Sequence, residues 1–157
     1  MSKTKQIALA TLTLCALALP ALGSTANPVA RPFQGKATVT WTVNMLTGSA
    51  TGYETGVATH LGLYLNESSA IYSIDPATFG IVSATGVVTT ADGAQAFWKM
   101  TPDQPGVVQV TGGTRRLAGL TGSLATVSME EPIISVDYPT MTMTITLTYK
   151  AAGTLIY

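Results

Sequence analysis

Apolar and polar residues alternate strictly along two stretches of this chain. In residues 37–43, Ala37, Val39, Trp41 and Val43 share one face while Thr38, Thr40 and Thr42 share the other. In residues 140–149, Met141, Met143, Ile145, Leu147 and Tyr149 oppose Thr140, Thr142, Thr144, Thr146 and Thr148. A period of two places successive side chains on opposite faces, the mark of a half-buried strand. The pattern predicts Val39, Trp41, Met143, Ile145 and Leu147 inside and the threonines outside. Further strand-like runs cover 56–66, 70–74, 79–90, 94–100, 107–110 and 117–128, and 153–157 closes the chain. Asp92-Gly93 suits a two-residue hairpin, and Asp75-Pro76, Pro102-Asp103 and Gln104-Pro105-Gly106 suit wider turns. No apolar stripe with helical spacing follows residue 23. About eight strands joined by short turns predict an all-β fold, a single antiparallel closed barrel or a sandwich, with closure removing exposed edges.

The segment 110–124, VTGGTRRLAGLTGSL, bears on the shape of that sheet. Gly112-Gly113 stand between two β-like runs, where a turn needs positive φ. Beyond them Ala118, Gly119, Thr121, Gly122 and Ser123 fill a segment still long enough for a strand. Glycines inside a strand mark bulges, barrel corners or close approach of another backbone, so the expectation is a curved, closed sheet.

The amino terminus has the pattern of an export signal. Lys3 and Lys5 precede an uncharged apolar run over 7–19, Pro20 breaks it, and Ala21-Leu22-Gly23 offers small residues for cleavage. A second site follows Ala26. The run is shorter than the roughly 20 residues of a membrane-spanning helix. The expected organisation is a signal over 1–23, a mobile leader over 24–30 and one β-barrel domain over 31–157. Cys15, the only cysteine, lies in the signal, and Leu14 before it does not suit lipid attachment. The exported chain then carries no disulfide, thiolate or cysteine-held metal. Its six basic and eight acidic residues lack the clustered basic face that nucleic acid requires.

The segment GGTRRLAGLTG (112–122) resembles the GGTGRFAGATG signature of small secreted bacterial proteins, mostly uncharacterised, whose fold is similar to the allene oxide cyclase and dirigent barrel. Arg31-Pro32-Phe33, the ATHLG stretch at 58–62 and a closing Gly-x-x-x-Tyr at 153–157 fit the same group. The resemblance implies an eight-stranded calycin-like barrel with an apolar interior. Arg115 stands where the signature has glycine, Leu117 where it has Phe and Leu120 where it has Ala. Plant allene oxide cyclases act on a fatty-acid epoxide and dirigent proteins on phenoxy radicals. None of their functional residues maps onto this chain one by one, and a shared barrel does not imply a shared reaction.

Candidate chemistry is sparse. His60 is the only histidine, the one side chain that titrates near neutrality unperturbed. Read as part of a strand, it shares a face with Ala58, Gly62 and Tyr64. As a general acid or base it needs a carboxylate, and Glu54, Glu67 and Asp75 are nearest in sequence; as a structural residue it hydrogen-bonds a neighbouring strand or loop. No nucleophile elbow, HExxH pair or phosphate loop is present, and no metal or cofactor is expected. Trp41, Tyr53, Tyr64, Tyr72, Phe79, Phe97 and Trp98 either line a cavity or fill a small barrel. Trp41, Tyr64 and Tyr72 are the candidate ligand contacts. Phe97 and Trp98 must point to opposite faces. The threonine rows suit a wet strand face better than a flat lattice-binding surface, because a barrel sheet is twisted. Asn66-Glu67-Ser68 is a formal glycosylation sequon.

These features lead to an expected secreted or periplasmic barrel without established catalysis that either binds an apolar small molecule, if its interior holds a cavity, or serves as an envelope component, if its interior is filled. A cofactor-independent cyclase or isomerase is the second reading; it requires His60 and a tyrosine or carboxylate to converge on one cavity. A small outer-membrane barrel is the third, suggested by the terminal Tyr157 and the nine-residue alternation before it. Neither a nucleic-acid partner nor a membrane-bound form after signal removal is expected.

Overall fold

A computed structural model of the protein describes residues 27–73 and 80–157. The expected export signal with Cys15, the expected Asp75-Pro76 turn and Phe79 lie outside the described residues. The described strands are β1 (Ala30–Asn44), β2 (Ser49–Ala58), β3 (Gly62–Ser73), β4 (Gly80–Thr90), β5 (Gln95–Met100), β6 (Val107–Gly113), β7 (Thr121–Met129), β8 (Ile133–Asp137) and β9 (Thr142–Ile156). Each of β1 to β6 pairs antiparallel with the next, β7 pairs with β9, and β9 returns to β1 along its whole length. The fold is therefore an all-β, closed, eight-stranded antiparallel barrel. The ninth strand, β8, stands outside it. It pairs with Thr142–Thr146 of β9, on the same edge that β7 occupies further along, so β7 and β8 lie end to end.

The inside and outside faces follow the alternation. Val39, Trp41, Met143 and Ile145 are buried, and Leu147 is partly buried against them. The threonine rows point outward, and in the closing β1–β9 pair they meet: Thr38 Oγ1 lies 3.0 Å from Thr148 Oγ1, and Thr40 Oγ1 lies 3.3 Å from Thr146 Oγ1. Such cross-strand hydroxyl pairs add a few tenths of a kcal/mol to about 1 kcal/mol each.

Inward positions form rows around the barrel. One row reads Trp41, Gly52, Ser68, Gly86, Trp98, and the next reads Val39, Glu54, Asn66, Val88, Ala96. In the first row the two indoles lie flat over the two glycines. A Cβ at Gly52 would sit 2.6 Å from the Trp41 ring, and one at Gly86 the same distance from Trp98. A Cβ at Gly56 would sit 2.5 Å from the Tyr64 ring. Glycine at these three inward positions makes room for three large rings inside a narrow barrel.

The glycine-rich segment differs from the expected tight turn at Gly112-Gly113. Both glycines belong to β6, and the connection runs on through a 3-10 turn at Arg115–Leu117 before β7 begins at Thr121. This longer connection carries Leu117 and Leu120, both almost fully buried, into one end of the barrel as a plug against Phe33, Leu61, Ala94 and Leu155. Arg115 does take the left-handed conformation that the resemblance assigns to glycine, with φ 54°. Arg116 ties the plug down: Nε donates to Asp92 Oδ2 (2.6 Å), Nη1 to the His60 carbonyl (2.7 Å) and Nη2 to the Leu61 carbonyl (3.3 Å). Gly122 and Gly153 allow the close approach of strands β7 and β9, since a Cβ on either would lie within 2.2 Å of a carbonyl oxygen across the pair.

Other boundaries also differ. The run 56–66 is interrupted at Thr59–Leu61, where the chain turns from β2 into β3, so His60 is on a turn and not on a strand. Its φ of 68° is one that histidine tolerates better than most non-glycine residues. The runs 140–149 and 153–157 join into the single long β9, and Met141 falls in the turn before it, with φ 52°. Among the strand stretches without a counterpart in the sequence pattern are residues 30–36 of β1, residues 49–55 of β2 and the whole of β8. Pairing also reaches into the expected leader: Val29 exchanges backbone hydrogen bonds with Tyr157, and β1 begins at Ala30.

Candidate functional site

The inward face of β2 reads Ala50, Gly52, Glu54, Gly56, Ala58: one carboxylate in a line of small residues. Glu54 is only 5 % exposed. Across the pair on β3 stands Asn66, and Tyr64 is one inward position along. On the far side of β1, Tyr149 of β9 pairs with Ala37 and reaches over it. Three donors converge on the carboxylate. Tyr64 Oη donates to Oε1 (2.8 Å), while Tyr149 Oη (2.8 Å) and Asn66 Nδ2 (3.3 Å) donate to Oε2. Asn66 Oδ1 in turn accepts from Trp98 Nε1 (3.0 Å). A buried carboxylate is costly unless its oxygens are hydrogen-bonded, and this set supplies that without any cation. The ion pairs among the described residues are Lys36–Glu130 and Arg116–Asp92, both on the surface.

Burial and the neighbouring Glu54 charge push the phenols of Tyr64 and Tyr149 far above the usual tyrosine range. Both therefore remain hydrogen-bond donors at any physiological pH. Tyr72 is also raised, to about 12, by burial.

Beside this cluster lies a cavity of about 170 Å³. Glu54, Tyr64, Asn66 and Tyr149 form its polar wall, and Trp41, Trp98, Val39, Val88 and Leu147 belong to its apolar wall. The lining residues on β1 to β3 are mostly buried, and so are Ala96, Val110 and Leu155, whereas Met100, Val108, Leu124 and Ala151 keep partial exposure and Ala125 and Thr126 of β7 are exposed. The cavity thus opens where β6 and β7 part. Their pairing covers only Val107–Val110 against Gly122–Ala125, after which β7 bends away through a bulge between Thr126 and Ser128.

Of the sequence candidates, Trp41 and Tyr64 line this cavity. Tyr72 does not; it packs edge-on against Trp41 with ring centroids 6.0 Å apart. His60 also lies away from it, at the plugged end. Its Nε2 is 3.1 Å from the Pro32 carbonyl oxygen and its ring meets Tyr157 edge-on at 5.7 Å. The polar groups that meet in one cavity are thus a carboxylate, an amide and two phenols, without the histidine. Phe97 and Trp98 divide as expected, Phe97 outward and Trp98 into the cavity. Asn66 of the sequon is 4 % exposed inside the barrel, which puts its amide out of reach of a glycosylating enzyme.

Sequence reasoning missed Asn66 and Tyr149 as site residues, held Trp98 only among the aromatics that line a cavity or fill the barrel, and took Glu54 only as a partner for His60. The signal for Glu54 was available: it is the one charge on the small-residue face of β2. Once the turn at residues 59–61 is recognised, that face points inward. Comparison with known protein families, with characterised proteins and with solved structures finds no match for this chain.

Proposed function

We propose that this protein is an exported carrier that binds a compact apolar molecule in the barrel interior. The observation that carries the reading is the coincidence of one accessible cavity with one buried polar cluster. A barrel interior filled only for packing would not need a buried carboxylate with three donors beside that cavity. Apolar walls supply affinity and a few converging polar groups fix orientation, the usual composition of a small-molecule site. Export rests on the Lys3, Lys5 and 7–19 pattern at the amino terminus. The resemblance of residues 112–122 to small secreted barrels supports the same assignment. Against the outer-membrane reading stand the outward threonine rows of the β1–β9 face, which lack the apolar band of a lipid-facing wall, while β2 and β3 carry outward Val57, Leu63, Leu65 and Ile71.

Catalysis in the same cavity is a second reading, favoured by the Glu54–Tyr64–Tyr149 set. A carboxylate flanked by two protonated phenols can accept and return a proton while apolar walls confine a reactive substrate. In that reading Glu54 is the base and Tyr149, the more exposed phenol, is the donor to substrate.

Titration of the purified protein with 2-phenylethanol, followed by tryptophan fluorescence and calorimetry, tests the binding reading. Saturable binding with a fluorescence change is expected, and it should be lost in Ala151→Phe, which pushes a ring into the cavity from β9. His60→Gln is expected to leave binding unchanged, and loss of binding in that variant would move the site to the plugged end. Equal binding by wild type and Ala151→Phe would refute the cavity as the site.

A further inference from the structure

We infer that the ligand of this cavity is a small organic amine, bound as its ammonium ion against Glu54; this rests on the cavity being the binding site. An ionised carboxylate offers about four lone-pair positions, and three donors fill three of them. Oε1 accepts from Tyr64 alone, whereas Oε2 accepts from both Asn66 and Tyr149. The remaining acceptor position is therefore on Oε1. All three protein donors are neutral groups, so the negative charge is solvated but not neutralised. Buried charges in proteins are almost always paired, and no lysine or arginine among the described residues pairs with this one.

The rest of the cavity suits a cation as well. Trp41 and Trp98 stand on its wall in one inward row, with Tyr64 and Tyr149 beside the carboxylate. Indole and phenol faces attract ammonium groups, most strongly where water is excluded. A carboxylic acid in the same place would set like charges together. A neutral alcohol would leave the Glu54 charge without a counter-charge. Volume limits the hydrocarbon: an engineered cavity of about 150 Å³ holds one benzene, so about 170 Å³ accepts a single ring with a short arm. An aryl- or cycloalkyl-ethylamine matches both limits.

The test uses three molecules with one skeleton and different head groups: 2-phenylethylamine, 2-phenylethanol and phenylacetate. Each is titrated into the purified protein at neutral pH by calorimetry. The amine is expected to bind at least tenfold more tightly than the alcohol, and phenylacetate not at all. Glu54→Gln is expected to weaken the amine at least tenfold while changing the alcohol less than threefold. His60→Gln, outside the cavity lining, is expected to keep the preference for the amine, and the retained alcohol binding of Glu54→Gln shows that this variant is folded. Wild-type binding of the alcohol as tight as that of the amine would overturn the inference and leave the cavity reading standing. A Glu54→Gln variant that retained the preference would do the same. Failure of all three molecules to bind would overturn both.

Discussion

Replacing Gly52 with alanine is expected to destabilise the barrel, although the same change in an ordinary strand stabilises it. Glycine inside a strand normally costs roughly 0.5–1 kcal/mol against alanine through backbone entropy, so an open site would show a gain of that size. At Gly52 the new Cβ would lie 2.5 Å from Ser68 Oγ and 2.6 Å from two carbons of the Trp41 ring. Comfortable carbon contacts are about 3.5–4.0 Å, so the indole must move by about 1 Å. Tyr72 packs edge-on against it, and Val43 and Ile145 belong to the same buried cluster. Overpacking of this kind costs about 1–3 kcal/mol. The net effect is a loss of about 1–2 kcal/mol, or roughly 4–8 °C in melting temperature for a domain of this length. Gly86→Ala against Trp98 should behave alike. Thermal unfolding followed by circular dichroism measures the shift, and a Trp41→Leu background tests its cause. With the smaller side chain the Gly52→Ala penalty should fall by more than half, a coupling of about 1 kcal/mol. A rise in melting temperature for Gly52→Ala in the wild-type background would refute the seating of the indole over the glycine.

Arg115→Gly should raise the melting temperature by about 2–4 °C, since relief of the ~1–2 kcal/mol that a non-glycine residue costs at φ 54° exceeds the roughly 0.5–1 kcal/mol of added backbone entropy and the bond given up, Nη1 to the Asp92 carbonyl, is exposed; a fall would mean that the arginine holds the plug. Asp92 is held well below the usual carboxylate range, first by the Arg116 guanidinium, then by the Thr90 hydroxyl and the Ala94 amide. A lowered folded-state pKa stabilises above the ordinary carboxylate pKa and is lost as pH falls through the folded value. Asp92→Asn should therefore melt below wild type at pH 7, and the gap should close as the medium becomes strongly acidic; a gap independent of pH would contradict the ion pair. Tyr72, raised to about 12, contributes stability that is complete below the ordinary phenol pKa near 10 and lost as pH rises through about 12. An ultraviolet titration of the six tyrosines should accordingly leave Tyr64, Tyr72 and Tyr149 un-ionised until the barrel opens in strong alkali, and smooth ionisation of all six near pH 10 would contradict their burial.

The closing β1–β9 pair was the most legible part of the fold, because both strands have one face in the core and one in water. Where a strand has small residues on its inner face, as β2 does with Ala50, Gly52, Gly56 and Ala58, hydropathy carries no contrast and residues 49–55 left no trace. The turn at residues 59–61 was hidden for a related reason. Leu61 is apolar and buried within it, under the Arg116 clamp, so the alternation runs through the turn as if through a strand. Outward apolar residues hid β8: Ile133, Ile134 and Val136 are all exposed on a strand outside the barrel, and an alternation filter finds no inner face there. The site was less legible still. Glu54, Asn66 and Tyr149 come from β2, β3 and β9, and only the pairing registers bring them to one place. His60, the residue that its chemistry alone singled out, lies outside the cavity lining, on the turn next to Leu61.

The most direct measurement is a crystal structure of the protein grown with saturating 2-phenylethanol. Ligand density inside the barrel, between Trp41 and Trp98 and within hydrogen-bond distance of the Glu54–Tyr149 cluster, is the expected result. An interior filled by the protein's own side chains, with ligand seated only on the outer wall or absent, would contradict it.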